Sequence, residues 1–237
     1  MTNNYSQEIE NLFAEWQAMQ QKEPYEEYKD YGEEKIAKDS FTYDGVINLP
    51  EYVKQDTKYL FISKESNIEN NEAQPPYRSD GDNFWLRDVC LQKPKPQKTK
   101  PSMFLNRLAM FANAIYSLDF ERVNKCHDVL NKVAFMNLNK RGGLSGSKWK
   151  TISGYTQKYA CFIKREIDMV EPDIIICCGS GLRDLLGKIG VSSPQYTIIE
   201  VYHPSYWISD KFHLERLKAA FDELSAEQKQ LLSRNMH

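Results

Sequence analysis

Residues 173–181, Asp-Ile-Ile-Ile-Cys-Cys-Gly-Ser-Gly, decide the fold. A short unbroken apolar run that stops at a glycine is the pattern of a strand covered on both faces, as in a parallel sheet flanked by helices. The continuation GSGLRDLLGKIG reads as turn, helix and glycine stop. Three similar runs lie outward from it: KYLFIS at 58–63, KVAFMN at 132–137 and YTIIEV at 196–201. Between and around them fall helical patterns. One spans 4–20, with Ile9, Leu12, Phe13, Trp16 and Met19 on one face; another follows a Ser102 cap, with Phe104, Leu105, Leu108, Phe111, Ala112 and Ile115 on its face. A third covers roughly 154–170 and stops before Pro172, and the last covers roughly 210–232. DGVINLP (44–50) is a short extended piece closed by Pro50. The segments 64–83, 93–101 (KPKPQKTKP) and 140–147 (KRGGLSGS) read as loops. Strands alternating with helices predict one three-layer α/β/α domain over 1–237 with a four-stranded parallel sheet, residues 1–40 forming a helical extension packed on it.

The composition fits a globular chain. Hydrophobic residues make up 41% and charged residues 27% of the 237 residues. No run of 18 apolar residues is present, and the first residues carry neither a basic nor an apolar leader region, so no membrane span and no secretory signal are expected. The five cysteines (Cys90, Cys126, Cys161, Cys177, Cys178) are odd in number and lack a CxxC spacing. Reduced thiols in a cytoplasmic protein are the expectation, with Cys177 and Cys178 as structural members of a strand. Net charge is −2, but it is segregated: residues 1–82 carry −10 and residues 83–150 carry +9. A basic middle segment suits a polyanion; it is equally compatible with charges spread over unrelated faces.

Ligands of parallel α/β sheets bind beyond the carboxyl ends of the strands. The segments there are KESN, NLNKRGG, CCGSG and YHPSYW. Glu65 can orient or deprotonate a water, or stand as a solvated loop carboxylate. Asn137 can read an amide-like edge such as that of a pyrimidine, or tie down its own turn. His203, held extended by Pro204, can donate to an oxygen gaining charge, or serve structure. The aromatics Phe84, Trp85, Tyr206 and Trp207 suit stacking against bases or core packing.

Taken in order, FISKESN, FMNLN, ICCGSG and VYHPSYW resemble the motifs of the uracil-DNA glycosylase superfamily over roughly residues 42–220, closest to bacterial members with F..DG..N, LFxxKExN and MNLxK patterns, here FTYDGVIN, LFISKESN and MNLNK. The resemblance implies a monofunctional glycosylase that hydrolyses the N-glycosidic bond of a flipped-out uracil or modified pyrimidine and leaves an abasic site. Glu65 would stabilise the cationic sugar and position water. His203 would donate to the base's O2, Asn137 would hold the base edge, and Phe84 would stack on it. Ser66 and Ser205 would hold phosphates, Lys140 and Arg141 would contact DNA, and Trp207 or Tyr206 would wedge into the vacated stack. The uracil-specific branch has aspartate-proline-tyrosine where this chain has Glu65-Ser66-Asn67. The smaller Asn67 would admit a 5-substituted pyrimidine, such as a bulky modified cytosine of a phage genome. The cysteine pattern of the iron–sulfur branches is missing, so no cluster, metal or other cofactor is expected. DNA is the expected partner and a monomer the expected state; the alternative is a non-catalytic nucleic-acid-binding module of the same fold.

Overall fold

In the computed structural model, described for residues 4–23, 41–67, 103–143, 146–192, 195–226 and 228–229, the apolar runs form a central sheet. Its strands are β1 (Gly45–Val46), β2 (Tyr59–Asn67), β3 (Ala134–Gly143), β4 (Ile174–Cys178) and β5 (Thr197–Val201), in the order β1-β3-β2-β4-β5. β2, β3, β4 and β5 run parallel, as expected. The sheet is nevertheless five-stranded and mixed, because β1 adds antiparallel to the edge of β3 through Gly45–Phe135 and Val46–Ala134. Two residues are too few to show a period of two, so the sequence gives an extended piece with no sign of its partner. Val46 N donates to the Tyr5 hydroxyl at 3.0 Å, which ties this strand to the N-terminal helix.

The helices are α1 (Tyr5–Gln21), α2 (Leu49–Tyr52), α3 (Met103–Ser117), α4 (Trp149–Lys158), α5 (Ala160–Val170), α6 (Leu182–Lys188) and α7 (Asp210–Asp222). The expected helix at 154–170 is two helices broken at Tyr159; α7 ends at Asp222, residues 226 and 228–229 are helical again, and the expected end at 232 lies outside the described residues. α5 stops with Glu171 in the left-handed region, ahead of Pro172. α1 has no side-chain cap on its first turn. Its stability comes from its buried face instead: Ile9, Leu12, Phe13 and Trp16 are buried, with Trp16 stacked on Phe162 at 5.4 Å. Each such side chain contributes about 1.5–3 kcal/mol on full burial. The acidic N-terminal segment thus packs α1 against one face of the sheet.

Successive strand residues face opposite layers. Leu60, Ile62, Met136, Ile175 and Cys177 join the core under α1, α4, α5 and α6. Phe61, Phe135, Ile174, Ile176, Cys178 and Ile199 join the core under α3 and α7. The adjacent cysteines therefore belong to two different cores, and burial pushes both thiols well above their ordinary range. Cys126, Cys161, Cys177 and Cys178 are free thiols. No helix among the described residues is long and apolar enough to cross a membrane.

β2 and β3 both run past their expected ends. KESN and KRGG, read as loops, continue the ladder through Glu65–Asn139 and, after an irregularity, Asn67–Gly143. Polar and glycine-rich composition masks the strand, while backbone pairing with a neighbour sustains it. The extension carries Glu65 and Asn139 on adjacent, hydrogen-bonded strands, just past Asn137 at the expected end of β3.

Candidate active site

β2 connects to β3 on one side, and the chain then returns to place β4 on the other. The crevice beyond the carboxyl end of β2 is the topological switch point of the sheet, where ligands of such folds bind. The segment Ser63–Ser66 stands at its centre and touches every other element of the site.

Glu65 is fixed by Asn139, whose Nδ2 donates to its Oε2 at 2.8 Å. Asn139 is aimed by the backbone N–H of Arg141, which donates to its Oδ1 at 3.1 Å. The carboxyl group lies directly over Gly143, where a Cβ would fall 2.3 Å from the carboxyl carbon. That clash gives the KRGG glycine a specific purpose: any side chain there would displace Glu65. Oε1 is buried and closes no hydrogen bond with the described residues. Burial raises the Glu65 pKa above its ordinary range, against the Asn139 amide, the Ser147 hydroxyl and the Lys64 charge, which favour the ionised form.

His203 follows β5. Its Nδ1 accepts from the backbone N–H of Ser205 at 3.1 Å, and its Nε2 faces the Ser63 hydroxyl at 3.1 Å. An accepting Nδ1 puts the proton of the neutral ring on Nε2, which then donates to Ser63 Oγ. Burial, with the charges of Lys64 and His213, pushes its pKa down to about 4. The ring leans on Phe104, 5.6 Å between centroids. At neutral pH the site holds an uncharged imidazole with one directed N–H.

Asn137 is buried opposite Ser63 in the ladder. Its Nδ2 donates to Ser66 Oγ at 3.2 Å and lies 3.5 Å from Asp44 Oδ2, while its backbone N–H donates to the same Asp44 oxygen at 2.7 Å. Ser66 is thus an acceptor for Asn137 in this structure. Asn67 pairs with Gly143 through the backbone; its side chain, Phe84 and Trp85 lie outside the described residues.

The two basic residues expected to meet DNA are inside the protein. Lys140 is fully buried between Asp44 and Glu166 (2.8 Å), its Nζ 5.4 Å from the ring centroids of Phe13 and Trp16. Arg141 pairs with the buried Glu23 and lies over the Tyr155 ring at 5.6 Å. Neither side chain has a surface from which to reach a phosphate. They act instead on the fold: Lys140 holds Asp44, and Asp44 holds Asn137.

Tyr206 and Trp207 lie on the surface, Trp207 81% exposed, with ring centroids 5.7 Å apart. Their loop is held by Arg107, which the sequence reading passed over. Its guanidinium donates to the carbonyls of Pro204 at 3.0 Å and Ile208 at 2.6 Å, to that of Tyr206, and to Asp210 Oδ1 at 2.8 Å. Burial opposes ionisation of Asp210, but Lys125 and Arg107 outweigh it and hold its carboxyl below the ordinary range. The clue was available: Arg107 sits at the i+3 position from Phe104 and one before Leu108, on the apolar stripe of α3, where a charge needs a partner inside. His213 is buried beneath the same loop and contacts the Tyr206 carbonyl at 3.2 Å.

A carboxylate of raised pKa, a neutral histidine donor and a buried amide, each held by a dedicated partner, can handle a substrate that gains positive charge on one side and negative charge on the other. Comparison with models of known protein families found no match, and neither did comparison with curated proteins.

Proposed function

We propose that this chain is a monofunctional DNA glycosylase acting on a flipped-out uracil or modified pyrimidine. The observation that carries the reading is the placement of Glu65, held by Asn139, on the same short segment that contacts His203 through Ser63 and Asn137 through Ser66. In this reading Glu65 ionises, steadies the oxocarbenium-like sugar and takes a proton from the attacking water. His203 turns its Nε2–H from Ser63 to the base O2, where charge develops. Asn137 holds the base edge; among the described residues nothing donates to its Oδ1. Trp207, or Tyr206 beside it, fills the space left in the duplex. Ser205 sits on the exposed loop beside these rings and suits a backbone phosphate. The protein would act as a monomer in the cytoplasm, with DNA as partner and no cofactor.

The test is abasic-site formation, read as alkali-labile strand breaks. Oligonucleotides containing uracil and DNA carrying glucosylated hydroxymethylcytosine are incubated with the parent and with Glu65→Gln. Breaks with the parent alone support the reading, and the DNA that breaks identifies repair or phage defence. Tight binding with no breaks on any DNA would replace it with a non-catalytic binding module.

A further inference from the structure

We propose that Lys64 is a catalytic residue of this site, its ammonium neutralising the pyrimidine anion as the N-glycosidic bond breaks; the inference rests on the glycosylase reading above. Lys64 leaves β2 at the switch point, between Ser63, which meets His203, and Glu65, which meets Asn139. Among the described residues it has no hydrogen-bond or ion-pair partner, whereas Lys140 and Arg141 at the end of β3 are both held in buried ion pairs. Its chain is placed by packing. The Cε lies 3.1 Å from where a Cβ on Gly179 would stand, and Gly179 has φ +146°, so a bare backbone at the end of β4 makes room for it. From there its charge acts on two groups at once, favouring the ionised form of Glu65 and the neutral form of His203.

That arrangement matches the chemistry the reading requires. The C1′–N bond breaks heterolytically and its electron pair leaves on the base. The water oxygen bonds to C1′, one water proton passes to Glu65, and Glu65 then releases that proton through solvent to the departing base, which leaves neutral while Glu65 returns to its ionised form. Glu65 answers the positive charge on the sugar. The base carries the negative charge, and a neutral His203 offers it only a hydrogen bond. Lys64 supplies the cation that His203 lacks.

A lysine that only braced the rim would slow all substrates equally, so the leaving group gives the decisive readout. Single-turnover release is measured for the base that the parent cleaves and for its fluorinated analogue, a better leaving group with fluorine at C5 or, where C5 is substituted, on the carbon attached to it, with the parent, Lys64→Gln, Lys64→Met and Lys64→Arg. The expected result is a loss in the Gln and Met variants of about 100-fold for the ordinary base but only about 10-fold for the fluorinated one, with Arg recovering most of it. Melting temperatures identify any variant that misfolds, and the remaining neutral variant then decides. A loss equal for both bases, or no loss, overturns the role of Lys64 while leaving the glycosylase reading intact. Failure of the parent to release any base overturns both.

Discussion

Asn139 donates its side-chain N–H to Oε2 of Glu65 across the β2–β3 ladder at 2.8 Å, and Asn139 is in turn aimed by the backbone of Arg141. This bond favours the charged carboxylate, whereas burial raises its pKa. His203 stays neutral down to about pH 4. The acid limb of base release is therefore expected to belong to Glu65 and to lie above the ordinary carboxylate range. Asn139→Leu removes a lowering influence, so the limb moves to higher pH. A pH–rate profile checks this, and an acid limb unmoved or shifted to lower pH would contradict it.

Glu65→Gln separates activity from stability. The folded pKa of Glu65 is raised above its unfolded value, so its protonated form is favoured by folding. The resulting stability is present below the unfolded pKa and is lost as pH rises through the folded one. A glutamine, which cannot ionise, escapes that loss. The variant is expected to melt higher than the parent at pH 8 and about equally at pH 4, while base release falls by about 100-fold or more. Calorimetry at the two pH values provides the check; a lower melting temperature at pH 8 would show that the carboxylate is not strained by burial.

Arg107 is the anchor of the 203–208 loop, with three backbone carbonyls and Asp210 on one buried guanidinium. Arg107→Ala leaves those carbonyls without their donor and is expected to cost about 2–4 kcal/mol. Arg107→Lys recovers little, because an ammonium cannot span the same fork of acceptors. Urea denaturation measures both. A Lys variant as stable as the parent would show that the charge alone matters.

Trp207→Ala makes the opposite prediction. With 81% of its surface exposed, Trp207 contributes little to folding. The substitution is expected to change stability by less than about 0.5 kcal/mol. If the ring enters the base stack, affinity for DNA falls by about 1–3 kcal/mol. Fluorescence anisotropy with a labelled oligonucleotide at fixed salt measures this. Unchanged affinity would remove Trp207 from the DNA surface and shift attention to Tyr206.

The sequence by itself determined the four parallel strands, the helix faces and the rim segments carrying Glu65, Asn137 and His203, because apolar periodicity is a local property. It left the fate of the charges undetermined. Lys140 and Arg141 look like a basic surface loop in sequence, yet their partners Asp44 and Glu23 lie 96 and 118 residues away. Part of the segregation between the acidic first third and the basic middle is thus consumed within the fold. Only the tertiary structure decided this, because it selects which charges are buried against each other and which remain free. The same holds for β1, for Arg107 under its loop and for Lys64 beside Gly179. Each is defined by a contact with a distant segment, and hydrophobic patterning along one segment carries no record of its neighbour.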